Sequence, residues 1–563
     1  MWVGLKLGVG TRADAIETLL KADSVSILTL PQGLTLAAQL ADLEKADLIL
    51  VERQLHRISG DDSGRKIAEH LHSKNRPVVL MVGSESNDEM DFDLLRTGAI
   101  DGFINRSLAA REWPPCVAAY RTGGRFPNCV AQIRLLGDKD GELLPVWEEM
   151  SEAFGKAGDH AVSDECCVLL RRLIAPCATD VTLRKVQVGQ SGAKIFRAKV
   201  SFGDGPMAED LAVKYGNREK IRREAMHYDR YVGPLPDGVA AQLRWRSETE
   251  RFGALAYSWV GDSVEDGVPL GPVTEKSSPV DWQRRQTTID RLFRVSLSSW
   301  YEAFRGGKGV SNRTLHDLYT SDVGIFGEAV ELGVGKAAPL VDEAESHVDT
   351  NGPEFWVFAL GDGEKRPNPI TWAKGGFASK IGPNHLAPAH GDLHVKNVYV
   401  LPDNSPRLID FGDTGVHHLF RDFAALEASI RLTCVKDKDL RALSAMEKRA
   451  NDTKDLCASI PLDGLGGSRD LREALRTTEI IRKAAQEACG YHGKPANNFL
   501  EYMYAVVAHM LRYATGRADE LGPDQREREG VRIWHAMYAA ALATERALEL
   551  EEAVKKKLRS SSR

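Results

Sequence analysis

His390-Gly-Asp-Leu-His-Val-Lys-Asn397, followed closely by Leu408-Ile-Asp-Phe-Gly-Asp413, is the stretch on which the reading of this chain turns. Between the two lie Val398-Tyr-Val-Leu401 and Arg407-Leu-Ile409, short β-like runs flanking Pro402-Asp-Asn-Ser-Pro406, whose residues favour a turn. A hairpin there brings Asn397 and Asp410 side by side at its open end. Both offer hard oxygen ligands suited to Mg2+, and Asp392 is placed to accept or orient the proton of a hydroxyl group. These are the parts that phosphoryl transfer requires. Its loose transition state asks the protein mainly to position the acceptor and to hold metal ions that neutralise charge.

The two segments resemble the catalytic and metal-binding loops of the aminoglycoside phosphotransferase and choline kinase group, a branch of the protein-kinase-like fold. His394 fits that group where Ser/Thr protein kinases carry Lys, and Asp410-Phe-Gly412 is shared with protein kinases. Arg421-Asp422-Phe-Ala-Ala-Leu426 matches the Asp that opens the following helix. The resemblance implies ATP and Mg2+ as cofactors, Asp392 and His390 as catalytic-loop residues, Asn397 and Asp410 as metal ligands, and Asp422 as a structural carboxylate that ties the loop down.

It also implies an upstream nucleotide lobe with a Gly-containing turn, a strand Lys and a helix Glu. Those features follow in order. Val181–Val188 and Ile195–Val200 bracket Gly189-Gln-Ser-Gly-Ala-Lys194, so Gly189, Ser191 and Gly192 are the phosphate-turn candidates. Leu211-Ala-Val-Lys-Tyr215 carries Lys214, expected to reach the α/β-phosphates, and the helical run Lys220–Tyr231 carries Glu224, expected to hold Lys214 extended. Phe252–Gly261 reads as an edge strand and hinge, with backbone groups near Tyr257 to Val260 as candidates for holding adenine. Further on, Asp281–Phe304 shows an apolar stripe of Ile289, Leu292, Phe293, Val295 and Trp300, expected to pack in a core. Adjacent His417-His418 is read as structural, since neighbouring residues seldom ligate one metal together.

Toward the N-terminus the pattern changes. Ser24–Leu30, Asp47–Val51, Pro77–Val82 and Gly102–Ile104 are β-like, with amphipathic segments between them, which predicts a parallel sheet with helices on both faces. The spacing resembles the receiver domain of two-component response regulators, and that resemblance implies a flavodoxin-like, doubly wound domain. A working receiver needs an acidic pair, a phosphoacceptor Asp, a hydroxyl and a Lys. The positions here hold Gly8-Val-Gly10, Glu52, Val82 and Asn105. A pseudo-receiver without phosphotransfer of its own is expected, with Glu52 either mimicking a phosphorylated state or standing as a solvated charge.

Composition bounds the rest. At 563 residues the chain exceeds one hydrophobic core, and 74 Lys+Arg against 80 Asp+Glu argue against a nucleic-acid backbone or an anionic membrane as principal partner. No apolar run approaches the roughly 18 to 20 residues that cross a bilayer, and the start lacks a signal-peptide pattern, so a cytoplasmic location is expected. The eight cysteines form no Cys-x-x-Cys pair and read as reduced thiols.

The expected architecture is multidomain, α/β plus α+β. It comprises a pseudo-receiver over 1–123, a helical connector over 124–180 and an ATP-binding kinase-like N-lobe over 181–265. A large helical C-lobe over 266–563 carries insertions and ends in a basic tail. The leading functional expectation is an ATP- and Mg2+-dependent phosphotransferase, with a bacterial regulatory or conflict-system role suggested by analogy. The competing one is a catalytically weak pseudokinase that acts as a scaffold. The sequence leaves the acceptor (small molecule, nucleotide or protein) and the oligomeric state open, and a protein partner is expected at the receiver-like domain. Acetyl phosphate treatment followed by mass spectrometry should leave residues 1–123 without an acid-labile phosphoryl adduct, because Glu52 has neither the metal site nor the Lys that organise attack.

Overall fold

Apolar residues alternate along Leu211-Ala-Val-Lys-Tyr215, so Leu211, Val213 and Tyr215 share one fully buried face, as expected of a strand lying on a core. The structure is a computed structural model. In the first part of the chain it describes residues 2–6, 26–29, 48–52, 66–67, 78–82, 102–105, 132–137, 143–144, 169–170 and 173. From 178 to 561 it describes all but 187–193, 203–207, 249–250, 261–266, 273–279, 306–309, 322–332, 336, 338–340, 342–347, 359–362, 376–383, 466, 491–494 and 516–522. The chain divides into two units, Met1–Met226 with Ala241–Trp259, and His227–Ala240 with Val260–Arg563.

Among the described residues the first unit holds two sheets. Strands β1 (Trp2–Lys6), β2 (Ser26–Thr29), β3 (Leu48–Glu52), β4 (Val78–Val82) and β5 (Gly102–Asn105) pair in parallel in the order β2-β1-β3-β4-β5. Glu52, Val82 and Asn105 end β3, β4 and β5 respectively; Gly8–Gly10 lies outside the described residues.

The second sheet is seven-stranded and mixed. It contains β6 (Gln132–Leu136), β7 (Leu143–Leu144), β8 (Ala178–Lys185), β9 (Lys194–Phe202), β10 (Ala208–Asn217), β11 (Leu243–Glu248) and β12 (Phe252–Ser258), in the order β11-β12-β10-β9-β8-β6-β7. The connector expected over 124–180 is therefore not purely helical, and Leu143 begins a strand rather than a helix. Ile133 and Leu135 recur with period two, and Leu135 is buried in the same core as Val181, Leu183 and Phe196. Helix α1 (Arg218–His227) follows β10 directly. Asn217 Oδ1 accepts from the amides of Glu219 and Lys220, which satisfies donors the first turn leaves free. Gly253 lets α1 approach β12, since a Cβ there would lie 2.7 Å from Ile221.

The second unit is mostly helical. Helix α2 (Trp282–Arg291) starts on an Asp281 cap and passes into a π-turn over Leu292–Ser296, followed by α3 (Ser298–Arg305). Ile289, Leu292, Phe293 and Trp300 are buried as the stripe predicts, but Val295 is 63% exposed. Helical spacing supplies the reason: six positions after Ile289, at about 100° per residue, Val295 falls on the opposite side of the helix from Ile289, Phe293 and Trp300. Short strands lie around these helices: β13 (Val268–Pro269), before α2, pairs with β19 (Val398–Val400), and β14 (Val310–Ser311), after α3, with β18 (Asn384–Ala389). Helix α4 (Leu315–Ser321) precedes a small sheet of β15 (Val348–Asp349), β16 (Phe355–Phe358) and β17 (Glu364–Pro367), then α5 (Pro369–Gly375). Strands β20 (Pro406–Leu408) and β21 (Gly415–His418) precede α6 (Arg421–Ser429), α7 (Leu440–Asn451), α8 (Arg469–Cys489), α9 (Pro495–Ala514) and α10 (Pro523–Ser561). Helix α9 is apolar and buried on nearly every face from Phe499 to Leu511 and packs along α10, so it forms the centre of this unit. No described helix is long and apolar enough to cross a membrane.

One charge cluster joins these helices. Glu427, fully buried on α6, accepts from Arg431 Nη1 (2.6 Å), Arg482 Nε and Nη2 (3.0 and 2.8 Å) and the Tyr502 hydroxyl (2.6 Å), while Arg431 also pairs with Glu447. Burial works to raise the Glu427 carboxyl, but Arg482 and Arg431 prevail and hold it below its usual range. Glu427→Gln should destabilise the protein by about 3–5 kcal/mol, since two buried guanidinium groups lose their shared anion. The check is the urea midpoint, compared with the wild-type chain.

Candidate active site

The sharp turn after β18 is built around Gly391. Its φ is 85°, and a Cβ would sit 2.0 Å from the Asp413 carbonyl oxygen, so no other residue fits without moving backbone. Asp422, in the first turn of α6, holds this turn. Its carboxylate accepts from the amides of His390 (2.6 Å) and Gly391 (2.9 Å) while being 1% exposed. Burial pushes the Asp422 carboxyl above its ordinary value, although His390, the two amides and Arg421 all favour its charged form.

His390 does not reach outward. Its ring is fully buried, Nε2 donates to the Ile409 carbonyl at 2.9 Å, and it packs on Phe411. The sequence reading grouped His390 with catalytic residues; its bonds instead brace the turn against the segment that carries Asp410, which makes it a positioning residue.

The hairpin forms as its turn residues predict. Val398 pairs with Leu408 and Val400 with Pro406, and the Ile409 amide donates to the Asn397 carbonyl at 3.1 Å, which brings Asn397 beside Asp410. Asn404 takes φ 62° in the turn, a conformation Asn tolerates. Helix α2 clamps that turn: Arg284 donates to Asn404 Oδ1 (2.8 Å) and the Leu401 carbonyl (3.0 Å), and the Thr288 hydroxyl to the Asn404 carbonyl (3.1 Å). Asn397 Nδ2 donates to the Asp392 carbonyl at 2.9 Å, which orients the amide, so Oδ1 is the atom that could meet a cation. Asp410 has φ 63°, a left-handed conformation costly for a residue with a Cβ and concentrated at functional sites.

Asp392 itself has one strong partner, which sequence reasoning did not find. Arg512 Nη1, in the last turn of α9, donates to Asp392 Oδ1 at 2.8 Å. His394 Nε2 faces the other carboxylate oxygen at 3.7 Å, and its Nδ1 accepts from the Lys396 amide. Burial lowers the proton affinity of His394 despite Asp392 beside it, so its imidazole is held neutral. His417 and His418 point to different partners, Asp413 and Arg421 for the first and Tyr319 for the second. Among the described residues no group of three or more His, Cys, Asp or Glu is arranged to hold a metal. Asn397 with Asp410 is the smaller oxygen set that suits Mg2+, which keeps waters and takes phosphate oxygens as further ligands.

In the first unit, Lys214 on β10 and Glu224 on α1 form a buried pair, Nζ to Oε2 at 2.8 Å, with side-chain exposures of 7% and 4%. The Tyr257 hydroxyl donates to the other Glu224 oxygen at 3.0 Å. Tyr257 was read as a backbone contact for adenine. It instead lies within β12, paired with Ala212 on one side and Leu243 on the other, so its backbone faces neighbouring strands and its phenol secures Glu224. Val260 is buried just beyond β12. Gly189, Ser191 and Gly192 lie outside the described residues.

A family model described as ternary complex associated domain 9 matches residues 344–514. Comparison with curated proteins finds no match. Solved structures similar to this chain include a protein of Ralstonia eutropha assigned as an aminoglycoside phosphotransferase, with 13% identity, a TM-score of 0.35, and coverage of 66% of this chain and 93% of that one. A macrolide 2'-phosphotransferase from Brachybacterium faecium has 16% identity, a TM-score of 0.32 and coverage of 62% and 92%. A choline kinase from Streptococcus pneumoniae has 11% identity, a TM-score of 0.29 and coverage of 63% and 91%. At such identities and scores these likenesses carry no inference about substrate or activity.

Gly391→Ala should lower thermal stability and displace the segment that holds Asp392, since its Cβ and the Asp413 carbonyl cannot share one place. Calorimetric melting together with the protease sensitivity of residues 389–397 would check it.

Proposed function

We propose that this chain is an ATP- and Mg2+-dependent phosphotransferase of the aminoglycoside phosphotransferase and choline kinase type. It moves the γ-phosphoryl group to a hydroxyl of a small molecule, nucleotide or protein. The observation that carries the reading is the convergence, at one end of a clamped hairpin, of Asn397, the left-handed Asp410 and the turn bearing Asp392. In this reading Asn397 Oδ1 and the Asp410 carboxylate hold Mg2+, which supplies charge neutralisation for the phosphates. Asp392 orients the acceptor hydroxyl and takes its proton. Lys214, kept extended by Glu224, binds the α/β-phosphates. Asp422, His390 and Gly391 keep the loop in place.

The parallel order β2-β1-β3-β4-β5 is the flavodoxin-like order, with Glu52 at the carboxyl end of the central strand, where open α/β sheets place their sites. It supports a receiver-like fold for the first domain; in this reading that domain regulates the rest through contact with a protein partner rather than through phosphorylation. A second reading, a weakly catalytic scaffold, draws support from the match of residues 344–514 to a family described as ternary complex associated.

Titration calorimetry and γ-labelled ATP separate the two. Asp410→Ala should weaken Mg2+-dependent ATP binding about tenfold or more. Asp392→Asn should leave that binding nearly intact and cut transfer of label to acceptors in a cell lysate by roughly 10²–10⁴-fold. Equal metal-dependent affinity in Asp410→Ala, or the absence of label on any acceptor or water with the wild-type chain, favours the scaffold.

A further inference from the structure

Arg512 is outside every motif of the chain, yet it is the strongest partner of the candidate proton acceptor. It comes from α9, 120 positions after Asp392, and its Nη1 lies 2.8 Å from Asp392 Oδ1. An arginine carries five N–H donors in a rigid fork, and this bond uses one. Among the described residues no second side-chain acceptor is bonded to the Arg512 guanidinium, and the side chain is 37% exposed, so the rest of the fork is accessible. Its base is stiff. Helix α9 is buried from Phe499 to Leu511, and the Thr515 hydroxyl donates to the Arg512 carbonyl at 2.8 Å, closing the helix end.

The separations fix what this fork can meet. A proton acceptor must come within about 2.6–3.2 Å of the acceptor oxygen, and that oxygen lies about 3–3.5 Å from phosphorus before attack. A guanidinium bonded to Asp392 through one donor thus holds its remaining donors within reach of the oxygens on the transferring group. There the new bond forms from the acceptor oxygen to phosphorus and the bond to the β-phosphate oxygen breaks. ADP leaves with that electron pair, and the hydroxyl proton passes to Asp392.

We propose that Arg512 is a catalytic residue that clamps the equatorial oxygens of the transferring phosphoryl group, with Asp392 as the anchor that aims it. The inference rests on the phosphotransferase reading above. Charge spread over those oxygens is what a planar cationic fork stabilises best, and a residue placed for it in advance lowers the barrier without reorganisation. An Asp392 carboxylate shared with a guanidinium is a weaker base, a tolerable loss because the loose transition state depends more on positioning and charge than on proton abstraction.

The test uses the full-length chain and Mg2+–ADP with and without aluminium fluoride, which mimics the transferring group. Calorimetry on wild type, Arg512→Gln and Arg512→Lys reads affinity without needing the natural acceptor. Mg2+–ADP alone should bind all three within about threefold. Aluminium fluoride should tighten wild-type binding, and Arg512→Gln should lose roughly 10²–10³-fold of that gain. Arg512→Lys, which keeps the charge and loses the fork, should fall between, and it decides the matter if the Gln variant melts early by circular dichroism. An equal gain in wild type and both variants, or no gain in wild type, overturns the assignment of Arg512. A wild-type chain that binds no Mg2+–ADP overturns the phosphotransferase reading itself, and the clamp with it.

Discussion

Two hydrogen bonds onto one buried carboxylate set the geometry of the candidate catalytic turn. Asp422 accepts the amides of His390 and Gly391 from within the first turn of α6, where a carboxylate is favoured by the helix dipole. The turn thereby takes its shape from a helix whose residues are all buried. Desolvation of such a carboxylate is expensive, and two short amide bonds with Arg421 nearby are the compensation. The Gly391 backbone follows, because the loop is pressed so close to Asp413 that a side chain has no room. From that fixed point His390 reaches the Ile409 carbonyl and so couples the turn to the segment that carries Asp410.

The hairpin is fixed from its other end as well. Arg284 and Thr288 of α2 hold the turn at Leu401–Asn404, so the strands that present Asn397 and Asp410 are gripped at both extremities. Strain at Asp410 persists because the surroundings determine it more than once, through the β19–β20 ladder, the Asn397–Ile409 bond and buried Phe411. The buried Lys214–Glu224 pair follows the same economy. Its desolvation is offset by a 2.8 Å contact and by the Tyr257 phenol on the second carboxylate oxygen, which leaves neither charge uncompensated.

Local chemistry was legible wherever it depends on neighbours in the chain. Pro402-Asp-Asn-Ser-Pro406 specifies a turn, the flanking apolar runs specify strands, and together they place Asn397 beside Asp410. The apolar stripe from Ile289 to Phe293 was readable for the same reason. The failures share a cause too. Residues 124–180 were read as helical although Ile133 and Leu135 alternate, because so short a run becomes a strand only when β8 is there to pair with it. Val295 is exposed because six positions from Ile289 is not a helical repeat, so grouping it with Ile289, Leu292 and Phe293 overlooked the 3.6-residue period.

What the sequence by itself determined is the set of chemical groups within a few residues of one another: Asp392 with His394 and Asn397, Asp410 after its hairpin, and Lys214 on a strand before a helix with Glu224. Only the tertiary structure decided their partners. Tyr257 was assigned through its backbone and proved to act through its phenol, because strands on both sides of β12 engage the main chain. His390 was assigned to chemistry and proved to brace, because its ring is closed in against Phe411 and Ile409. Arg512 went unassigned, because the closing of α9 over a loop 120 positions away is a property of packed helices and leaves no trace in local pattern.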